Sequence, residues 1–145
     1  MSVEYRMATP ADAARLADLN CHLIQDEGHR NPMTVAQLEE RMRGWLGSSE
    51  YQAVIFEEDD AVVAYALFRE TDAEVYLRQF FVVRERRRQG IGRQAMAVLF
   101  ERVWARDKRW TVSVLVNNAA AVAFWRDLGY TDYALTLEIM PPEAT

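Results

Sequence analysis

One short stretch of the chain combines residue types that suggest binding chemistry. It covers ten residues and contains two glycines, Gly90 and Gly92, and five arginines: Arg84, Arg86, Arg87, Arg88 and Arg93. Glycine lets the backbone approach a ligand closely, and the N–H groups of such a turn can point at one oxyanion. Arginine adds forked hydrogen bonds, and a helix that begins after the turn adds the positive end of its dipole. The stretch therefore suits a pyrophosphate group.

The positive charge of the chain is concentrated in the same stretch. Residues 84–93 carry +4, from five arginines and Glu85, whereas all 145 residues together carry −5, so the remainder carries −9. A small basic area on an acidic chain argues against general binding of nucleic acid or of an acidic membrane surface. We therefore expect neither among its partners.

Two helices are predicted before the stretch, and each has a start signal. Thr9-Pro10-Ala11-Asp12 combines a hydroxyl cap, a proline in the first turn and an acid three residues after the cap. Thr34-Val35-Ala36-Gln37 forms a capping box. Apolar residues follow each start at helical spacing, namely Leu16, Leu19, Leu23 and Ile24 in the first helix and Leu38, Met42, Trp45 and Leu46 in the second.

Strands are predicted where the apolar period becomes extended. They cover residues 3–7, 51–56, 61–68, 75–83, 111–116 and 133–140. Two more helices are predicted over residues 90–106 and 119–128, the second stopped by Gly129. The order β-α-α-β-β-β-α-β-α-β predicts one α/β (α+β) domain over residues 1–145. Its mixed, mostly antiparallel sheet would have about six or seven strands, flanked by about four helices.

The glycines also fit the dinucleotide fingerprint G-x-G-x-x-A, from Gly90 to Ala95. That fold places the fingerprint after the first strand and needs an acid about 20 residues further on. Here three or four predicted strands precede it, and only 50 residues follow Ala95. We therefore disfavour a dinucleotide fold. A merely solvated arginine turn is disfavoured as well, because the glycines stand at a strand-to-helix junction.

The stretch and its setting resemble the GNAT superfamily of N-acetyltransferases. The family signature, R/Q-x-x-G-x-G/A after the fourth strand, is matched by Arg87-Arg88-Gln89-Gly90-Ile91-Gly92. A second family pattern, N-x-x-A-(x)₃-Y-(x)₃-G-F, is similar to the run from Asn118 to Tyr130, with Trp125 at the tyrosine position. The order of the elements is also similar from Met7 to Met140, which is nearly the whole chain.

The resemblance implies an acetyl-CoA site. Backbone N–H groups of the turn would hold the pyrophosphate, with three arginine side chains as charge partners, and the preceding strand would pair with the pantetheine arm. Asn118 would reach that arm from the other side. The implied cofactor-binding residues are Phe80, Phe81, Val82, Arg87, Arg88, Gln89, Gly90, Ile91, Gly92, Arg93, Asn118 and Phe124. Arg126 is a weaker candidate for the 3′-phosphate, because an exposed helical arginine is the simpler interpretation.

The implied reaction transfers the acetyl group of acetyl-CoA to a primary amine of a small molecule or protein by direct attack. It needs an amine without its proton, a polarised carbonyl and a stabilised leaving thiolate. The backbone N–H of Val82 would polarise the carbonyl in the manner of an oxyanion hole. No metal is required, and two histidines with one cysteine disfavour a zinc site. That cysteine, Cys21, is interpreted as a packing residue.

The chain departs from the family pattern at the catalytic acid. Trp125 occupies the position where many relatives have a tyrosine, and an indole N–H is too weak an acid for the task. Tyr130 and Tyr133 are the nearest alternatives, and Tyr130 is the possible acid that we name. Ser113 occupies the position where relatives that acetylate protein N-termini have a glutamate, so that substrate class is less expected.

The sequence offers several candidates for the general base. Glu74, acting through water, is the candidate that we name, and the others are Asp26, Glu27, His22 and His29. The acceptor pocket is expected to involve the first two helices, the loop between Glu27 and Thr34, and Tyr65, Tyr76 and Gln79.

A non-catalytic acyl-CoA sensor or interaction module with the same fold is the alternative function, and Trp125 is its main support. We expect a cytoplasmic protein, because the first residues lack an apolar run of signal-peptide length and no stretch approaches the ~20 apolar residues of a membrane span. The chain is expected to be a monomer or a homodimer.

Overall fold

The structure, a computed structural model, describes residues 3–143. Within that range, the elements are β1 (Glu4–Met7), α1 (Ala13–Glu27), α2 (Val35–Gly47), β2 (Gln52–Glu58), β3 (Ala61–Glu70), β4 (Glu74–Val82), α3 (Ile91–Val98), β5 (Arg109–Val112) and α4 (Ala119–Asp127). One sheet holds the strands in the order β1-β2-β3-β4-β5, and only β4 and β5 run parallel. The predicted mixed α/β fold is confirmed, with five strands where six or seven were expected.

The predicted start signals form as hydrogen-bonded caps. Thr9 N–H donates to the Asp12 carboxylate at 2.8 Å, just before a short 3-10 turn that leads into α1. Gln37 N–H donates to the Thr34 hydroxyl at 3.2 Å, and Thr34 N–H donates to the Gln37 side-chain oxygen at 2.8 Å. These bonds satisfy backbone donors that a helix start leaves without partners.

The third helix is shorter than predicted. α3 ends at Val98 and continues as a π-helical segment, Leu99–Val103, in which Trp104 N–H donates to the Leu99 carbonyl at 2.8 Å. The chain then enters β5 at Arg109, two residues earlier than expected, and leaves it at Val112 instead of Val116. Apolar periodicity is similar in α- and π-helices over one turn, so the pattern of apolar residues does not mark this change.

Helices cover both faces of the sheet, and each face has its own core. On the α1–α2 side, the large buried side chains include Leu16, Leu19, Met42, Tyr51, Ile55, Tyr65, Leu67 and Phe81. On the α3–α4 side they are Phe56, Phe68, Leu77, Met96, Leu99, Trp104 and Trp125. None of the described helices is long and apolar enough to cross a membrane.

A bulge in the middle of β4 decides which side chains face which core. Leu67 of β3 lies opposite Gln79 and Phe68 lies opposite Leu77, so Arg78 is the extra residue. A bulge of this kind re-aims the side chains that follow it. Leu77 therefore belongs to the α3–α4 core, whereas Phe81 belongs to the α1–α2 core. The pairing of β4 with β5 also ends at Leu77, so the two parallel strands separate at the bulge.

The prediction of a strand over residues 133–140 is wrong. These residues belong to no helix or strand, and all of them are exposed. The alternation of apolar and other residues satisfies the pattern of a strand, but a strand also needs a hydrogen-bonding partner. Among residues 3–143, no backbone supplies one, because β5 is paired on its β4 side alone.

Candidate functional site

The arginine-rich turn joins the end of β4 to the start of α3. Arg88 and Gly90 both have left-handed backbones, with φ of 64° and 78°. The left-handed region suits glycine and disfavours a residue with a Cβ. The first intrahelical bond of α3 is from Gln94 N–H to the Gly90 carbonyl, and no side chain caps the helix. The N–H groups of Ile91, Gly92 and Arg93 are therefore free of helical partners and available to a ligand.

An open cavity of about 280 Å³ lies where this turn meets β4 and α4. Its lining residues are Val82, Arg86, Arg87, Arg88, Gly90, Ile91, Gly92, Arg93 and Phe124. Eight of these nine belong to β4, the turn and the first residues of α3. The structure thus brings together most of the residues predicted to bind a cofactor. Phe80, Phe81, Gln89 and Asn118 do not line the cavity.

Gly92 has a steric role that differs from that of Gly90. A Cβ at Gly92 would lie 3.3 Å from two ring carbons of Phe124 and 3.7 Å from a Val82 methyl group. At Gly90 a Cβ would meet nothing within 4 Å, so that glycine serves the left-handed turn alone. The second glycine of the signature therefore lets α3, α4 and β4 converge at the cavity wall.

Most of the arginine side chains in the turn are bound to carboxylates elsewhere in the fold. Arg84 and Arg87 both bind Asp26, at 2.8 and 2.7 Å, and Arg86 binds Glu58. Arg93 makes a longer contact of 3.3 Å with Asp127, and both side chains are more than half exposed. Arg88 has no ion pair within the part of the chain that the structure describes. Arg88 and Arg93 are thus the side chains most available to an anionic ligand.

Asp26 fastens the turn to the end of α1. Hydrogen bonds from Arg84, and then from Arg87, hold the pKa of its carboxyl below the ordinary value against the opposing effect of burial. A carboxylate in the last turn of a helix is unfavourable to the helix dipole, so these two guanidinium groups offset that cost. Arg87 also donates to the Val82 carbonyl at 3.1 Å and lies 5.0 Å from the centre of the Phe81 ring.

Val82 presents its peptide to the gap between the separated strands. Val83 N–H donates to the Val63 carbonyl of β3 at 2.9 Å. Because peptide groups alternate along an antiparallel strand, the N–H and carbonyl of Val82 point away from β3. The carbonyl accepts from Arg87, whereas the N–H has no partner among the described hydrogen bonds. Val82 N–H is therefore a free donor at the edge of the cavity.

Asn118 caps α4 with its side-chain oxygen, which accepts from Ala121 N–H at 3.2 Å. Its side-chain NH₂ remains available. Phe80 stacks against Phe124, with ring centres 6.2 Å apart and planes 15° apart. The aromatic ring at the cavity wall is thus supported from the sheet.

Tyr130, the candidate catalytic acid, lies in an aromatic cluster and not in the cavity. The Tyr130 hydroxyl is buried and has no hydrogen-bond partner among the described residues. Its ring packs edge-on against Trp125 at 5.6 Å, and burial raises its pKa. Trp125 is itself 92% buried, so it serves the α3–α4 core.

The candidate bases lie in two separate places. Glu74 binds Arg109 at 2.9 Å at the start of β4, about 25 Å along the strand from Val82 at about 3.3 Å per residue. Glu27 lies at the end of α1, beside the turn, and burial raises the pKa of its carboxyl. His29 contacts Glu27 at 3.4 Å, and the His22 ring lies 6.3 Å from that of Phe81. The structure thus separates Glu74 from the cavity.

Two of the residues expected to form the acceptor pocket, Tyr65 and Gln79, meet on the α1–α2 face of the sheet. The Tyr65 hydroxyl donates to the Gln79 side-chain oxygen at 2.8 Å in a buried hydrogen bond. Arg41 of α2 and Arg78 of the β4 bulge lie on the same face, and the sequence reading missed both. No spacing in the sequence relates them, because Arg41 lies on a helix and Arg78 on a strand, and only tertiary packing brings both to the Trp45 ring.

Comparison with known proteins identifies the family. The model described as "Acetyltransferase (GNAT) family" matches residues 18–130, which include the turn, the cavity and α4. The chain therefore belongs to the GNAT family of acetyltransferases, as the two sequence motifs predicted. This membership supports acyltransferase activity. Within residues 3–143, no three His, Cys, Asp or Glu side chains are grouped so that they could hold a metal ion.

Solved structures share the fold at low sequence identity. A possible acetyltransferase from Clostridium difficile 630 has a TM-score of 0.81 and 17% identity, over 99% of this chain and 100% of that chain. Aminoglycoside N-acetyltransferase AAC(6')-Iy, solved in complex with CoA, has a TM-score of 0.76 and 12% identity, over 96% and 94%. A ribosomal-protein-alanine N-acetyltransferase from Brucella melitensis biovar Abortus 2308 has a TM-score of 0.72 and 13% identity, over 96% and 99%. Curated protein sequences contain no match.

Proposed function

We propose that this chain is an acetyl-CoA-dependent N-acetyltransferase that acetylates a primary amine by direct attack. One observation carries the proposal: a cavity lined by the free N–H groups of a helix start adjoins the free N–H of Val82. The first feature suits a pyrophosphate, and the second suits a carbonyl oxygen that gains negative charge.

The residues of the cavity fit the pyrophosphate and the adjoining pantetheine arm of acetyl-CoA in their chemistry. The backbone of the turn and of α3 would hold the pyrophosphate, with the side chains of Arg88 and Arg93 as charge partners. Phe124 would contact the pantetheine arm, and Asn118 would offer its side-chain NH₂. The absence of a Cβ at Gly92 keeps Phe124 in its place. When bound, acetyl-CoA supplies an acetyl group activated as a thioester.

Groups of this chain would then stabilise the negative charge that develops on the carbonyl oxygen and accept the proton of the amine. Val82 N–H donates a hydrogen bond to the thioester carbonyl oxygen while the amine nitrogen forms a bond to the carbonyl carbon. The bond from carbon to sulphur breaks, and the thiolate takes a proton from water. The amine nitrogen loses one proton, through water, to Glu27, and Glu27 returns this proton to the hydroxide left by the water that protonated the thiolate. No protein acid is assigned, because the Tyr130 hydroxyl is buried away from the cavity lining.

Glu27 is preferred as the proton acceptor because of its position and its burial. It lies beside Arg87 of the turn, and its charge is felt by Tyr65 on the acceptor face. A carboxyl whose pKa is raised towards neutrality is a better base at physiological pH than an ordinary one. Glu74 lacks this position, since it pairs with Arg109 at the far end of β4.

The similar structures support an amine acceptor in general terms. Two of them are named for N-acetylation, one of aminoglycosides and one of a ribosomal protein's alanine. These acceptors differ greatly in size, so they support the type of reaction and no particular acceptor.

Two measurements on the intact chain test the proposal. Isothermal titration with acetyl-CoA compares the wild type with Arg88→Ala and with Arg102→Ala, an exposed arginine outside the cavity. We expect binding, weakened about tenfold by Arg88→Ala and unchanged by Arg102→Ala. Thiol release is then followed with a panel of primary amines. Tight binding without turnover on any amine would overturn the enzyme in favour of a sensor, and absence of binding would overturn both.

A further inference from the structure

Three arginines on the α1–α2 face of the sheet lie over aromatic rings instead of beside carboxylates. Arg41 of α2 and Arg78 of β4 lie 4.5 and 4.8 Å from the centre of the Trp45 ring. Arg69 of β3 lies 5.6 Å from the centre of the Tyr51 ring. Within residues 3–143, no carboxylate comes within ion-pair distance of these three side chains, which we call the arginine cluster. The face therefore carries three positive charges without a paired negative one.

The hydrogen bonds of the arginine cluster engage its donors without neutralising its charge. Arg41 donates to the side-chain oxygen of Asn20 at 3.3 Å, and Arg78 donates to the Tyr51 hydroxyl at 3.2 Å. The two acceptors, an amide and a hydroxyl, are uncharged and belong to side chains that are only 2% and 3% exposed. An aromatic face attracts a cation through its quadrupole and carries no net charge either. The charge of the cluster therefore acts on any ligand that enters this face.

The arginine cluster holds like charges together in a partly buried place. Burial, and then the positive charge of Arg78, lower the pKa of Arg41. The Nε of Arg41 is also buried without a hydrogen-bond partner among the described residues. Charges at such a place are screened less by solvent and salt than charges at an open surface. An arrangement that costs stability in this way is expected mainly where it serves function.

Arg41 and Arg78 adjoin the expected acceptor pocket. Gln79 follows Arg78 in the β4 bulge, and its side-chain oxygen accepts from the Tyr65 hydroxyl at 2.8 Å. The charges of Arg41 and of Glu27 both act on that hydroxyl. The proposed proton acceptor and the arginine cluster are therefore near the same buried hydrogen bond.

Arg69 extends the arginine cluster along the same face. It lies opposite Tyr76 in the ladder between β3 and β4, and its guanidinium carbon is 5.9 Å from the centre of the Tyr76 ring. Tyr76 is another residue expected in the acceptor pocket. Each member of the cluster thus lies beside a residue of that pocket.

We propose that the arginine cluster excludes acceptors that carry a second positive charge, so that the acceptor of this chain is a primary amine with no other cationic group. Unpaired charge rejects a ligand of like charge without direct contact, and such repulsion is a common source of specificity. The reacting amine loses its proton before the attack, whereas a second ammonium group keeps its charge at neutral pH. This inference names the substrate class of the proposed acetyltransferase and rests on that proposed function.

Three amines of the same length test the exclusion. Cadaverine, aminopentanol and aminopentanoate share a linear chain with an amine at one end, and the group at the other end is positive, neutral and negative in turn. The kcat/KM of acetyl transfer is measured for each, and the value for cadaverine is halved because it has two equivalent amines. We expect the kcat/KM of cadaverine to be about tenfold lower than that of aminopentanol, and that of aminopentanoate to be no lower.

Substitutions of Arg78 separate its charge from its shape. Arg78→Gln removes the charge and keeps an amide N–H that can donate to Tyr51, whereas Arg78→Lys keeps the charge and loses the planar fork. We expect Arg78→Gln to reduce the difference between cadaverine and aminopentanol to about threefold or less, and Arg78→Lys to preserve it. Arg102→Gln, which removes an exposed arginine from the π-helical segment after α3, is the control and should also preserve it.

Salt tests the same repulsion without a substitution. Raising the ionic strength from about 0.1 M to about 1 M shortens the screening length from about 10 Å to about 3 Å. The kcat/KM of cadaverine relative to that of aminopentanol should therefore rise with salt in the wild type, and rise less in Arg78→Gln. A wild-type ratio that does not change with salt would contradict discrimination by charge.

The outcomes separate this inference from the proposed function. Equal kcat/KM per amine for cadaverine and aminopentanol, or a difference that Arg78→Gln leaves unchanged, would overturn the exclusion and leave the acetyltransferase intact. Acetyl-CoA binding without turnover of any amine would overturn the proposed function. Titration of the same three amines into the complex with acetyl-CoA would then measure the exclusion as binding, and cadaverine that binds as tightly as aminopentanol would overturn it.

Discussion

Gly92 of α3 and Phe124 of α4 approach so closely that a Cβ at Gly92 would lie 3.3 Å from two carbons of the phenyl ring. The ring also stacks against Phe80 of β4, with ring centres 6.2 Å apart. Three elements therefore converge at one glycine, and the ring they hold forms one wall of the cavity. Gly92 therefore shapes the cavity through Phe124 as well as through its own backbone.

Replacing Gly92 with valine should weaken acetyl-CoA binding at least tenfold. The added methyl groups force Phe124 to move, and the space open to it is the cavity. Overpacking of this kind also destabilises a fold by about 1–3 kcal/mol. Isothermal titration measures the affinity, and chemical denaturation measures the free energy of unfolding.

A double variant controls for general damage. Phe124→Leu removes the ring carbons that the valine would meet, so Gly92→Val combined with Phe124→Leu should recover stability relative to Gly92→Val alone. If the two substitutions instead add independently, the close approach of Gly92 and Phe124 is not the cause.

Two substitutions of Arg88 distinguish the effect of backbone strain on stability from the effect of the guanidinium charge on ligand binding. Its φ of 64° disfavours any residue with a Cβ, by roughly 1–2 kcal/mol. Arg88→Ala and Arg88→Gly both remove the guanidinium, so both should weaken acetyl-CoA binding by about tenfold. The glycine variant should be the more stable of the two by about 1 kcal/mol, measured by denaturation. Equal stabilities would contradict the strained turn, and unequal affinities would contradict a role for the charge alone.

Local chemistry explains what the sequence predicted well. The caps at Thr9 and Thr34, and the turn around Gly90, depend on residues within four positions of one another, and all three form. The strand over residues 133–140 failed because a strand depends on a distant edge. Arg87 was predicted to be a charge partner of the ligand, but it binds Asp26, which lies 61 residues earlier in the chain, so this contact also depends on distant packing.

The acceptor face was the least predictable part of the site. A single extra residue, Arg78, turns the second half of β4 so that Gln79 and Phe81 face α1 and α2. Nothing in the alternation of the sequence marks where that residue stands. The burial of Glu27 is likewise set by tertiary packing, so its altered pKa had no sequence signal.

Asp26→Asn should loosen the turn in a pH-dependent way. The folded-state pKa of Asp26 lies below the ordinary value, chiefly because Arg84 and then Arg87 donate to its carboxylate. A lowered pKa gives stability that is present above the unfolded value and is lost as pH falls through the folded one. The difference in unfolding free energy between wild type and Asp26→Asn should therefore be constant near pH 7 and shrink below about pH 4. Its size should be at most about 1 kcal/mol, because solvent screens the pair.

Chemical denaturation at a series of pH values measures this difference. Asp18→Asn is a suitable control, because Asp18 is exposed on α1 and makes no ion pair among the described residues. If the difference in unfolding free energy stays constant down to pH 2.5, the lowered pKa of Asp26 does not contribute to stability.

Glu27→Gln should reduce kcat by about 10²-fold or more while leaving the affinity for acetyl-CoA unchanged. Burial raises the pKa of Glu27, so the wild-type rate should fall on the acidic side as that carboxyl becomes protonated, at a pH above that of an ordinary glutamate. The variant should lack this acidic limb. A pH profile of kcat therefore distinguishes a proton acceptor from a residue that only shapes the pocket.

Glu27→Gln should lower kcat, but it should raise the free energy of unfolding at high pH. A carboxyl with a raised folded-state pKa stabilises the fold while it is protonated, and this stability is lost as pH rises through that pKa. Glutamine imitates the protonated form at every pH, so Glu27→Gln should be more stable than the wild type at pH 8 and similar to it at pH 4. A variant that is destabilised at pH 8 would show that the charged form is the one the fold prefers.

Tyr130→Phe decides whether the tyrosine at the end of the second motif is the acid. Its hydroxyl is buried without a partner, and burial raises its pKa, so removing it takes away an unsatisfied polar group. An unsatisfied buried hydroxyl costs about 1–3 kcal/mol, so the variant should be at least as stable as the wild type. Because the hydroxyl does not line the cavity, kcat should change less than twofold. A kcat lowered tenfold, with acetyl-CoA affinity and folding intact, would instead require the ring of Tyr130 to turn towards the thioester during the reaction.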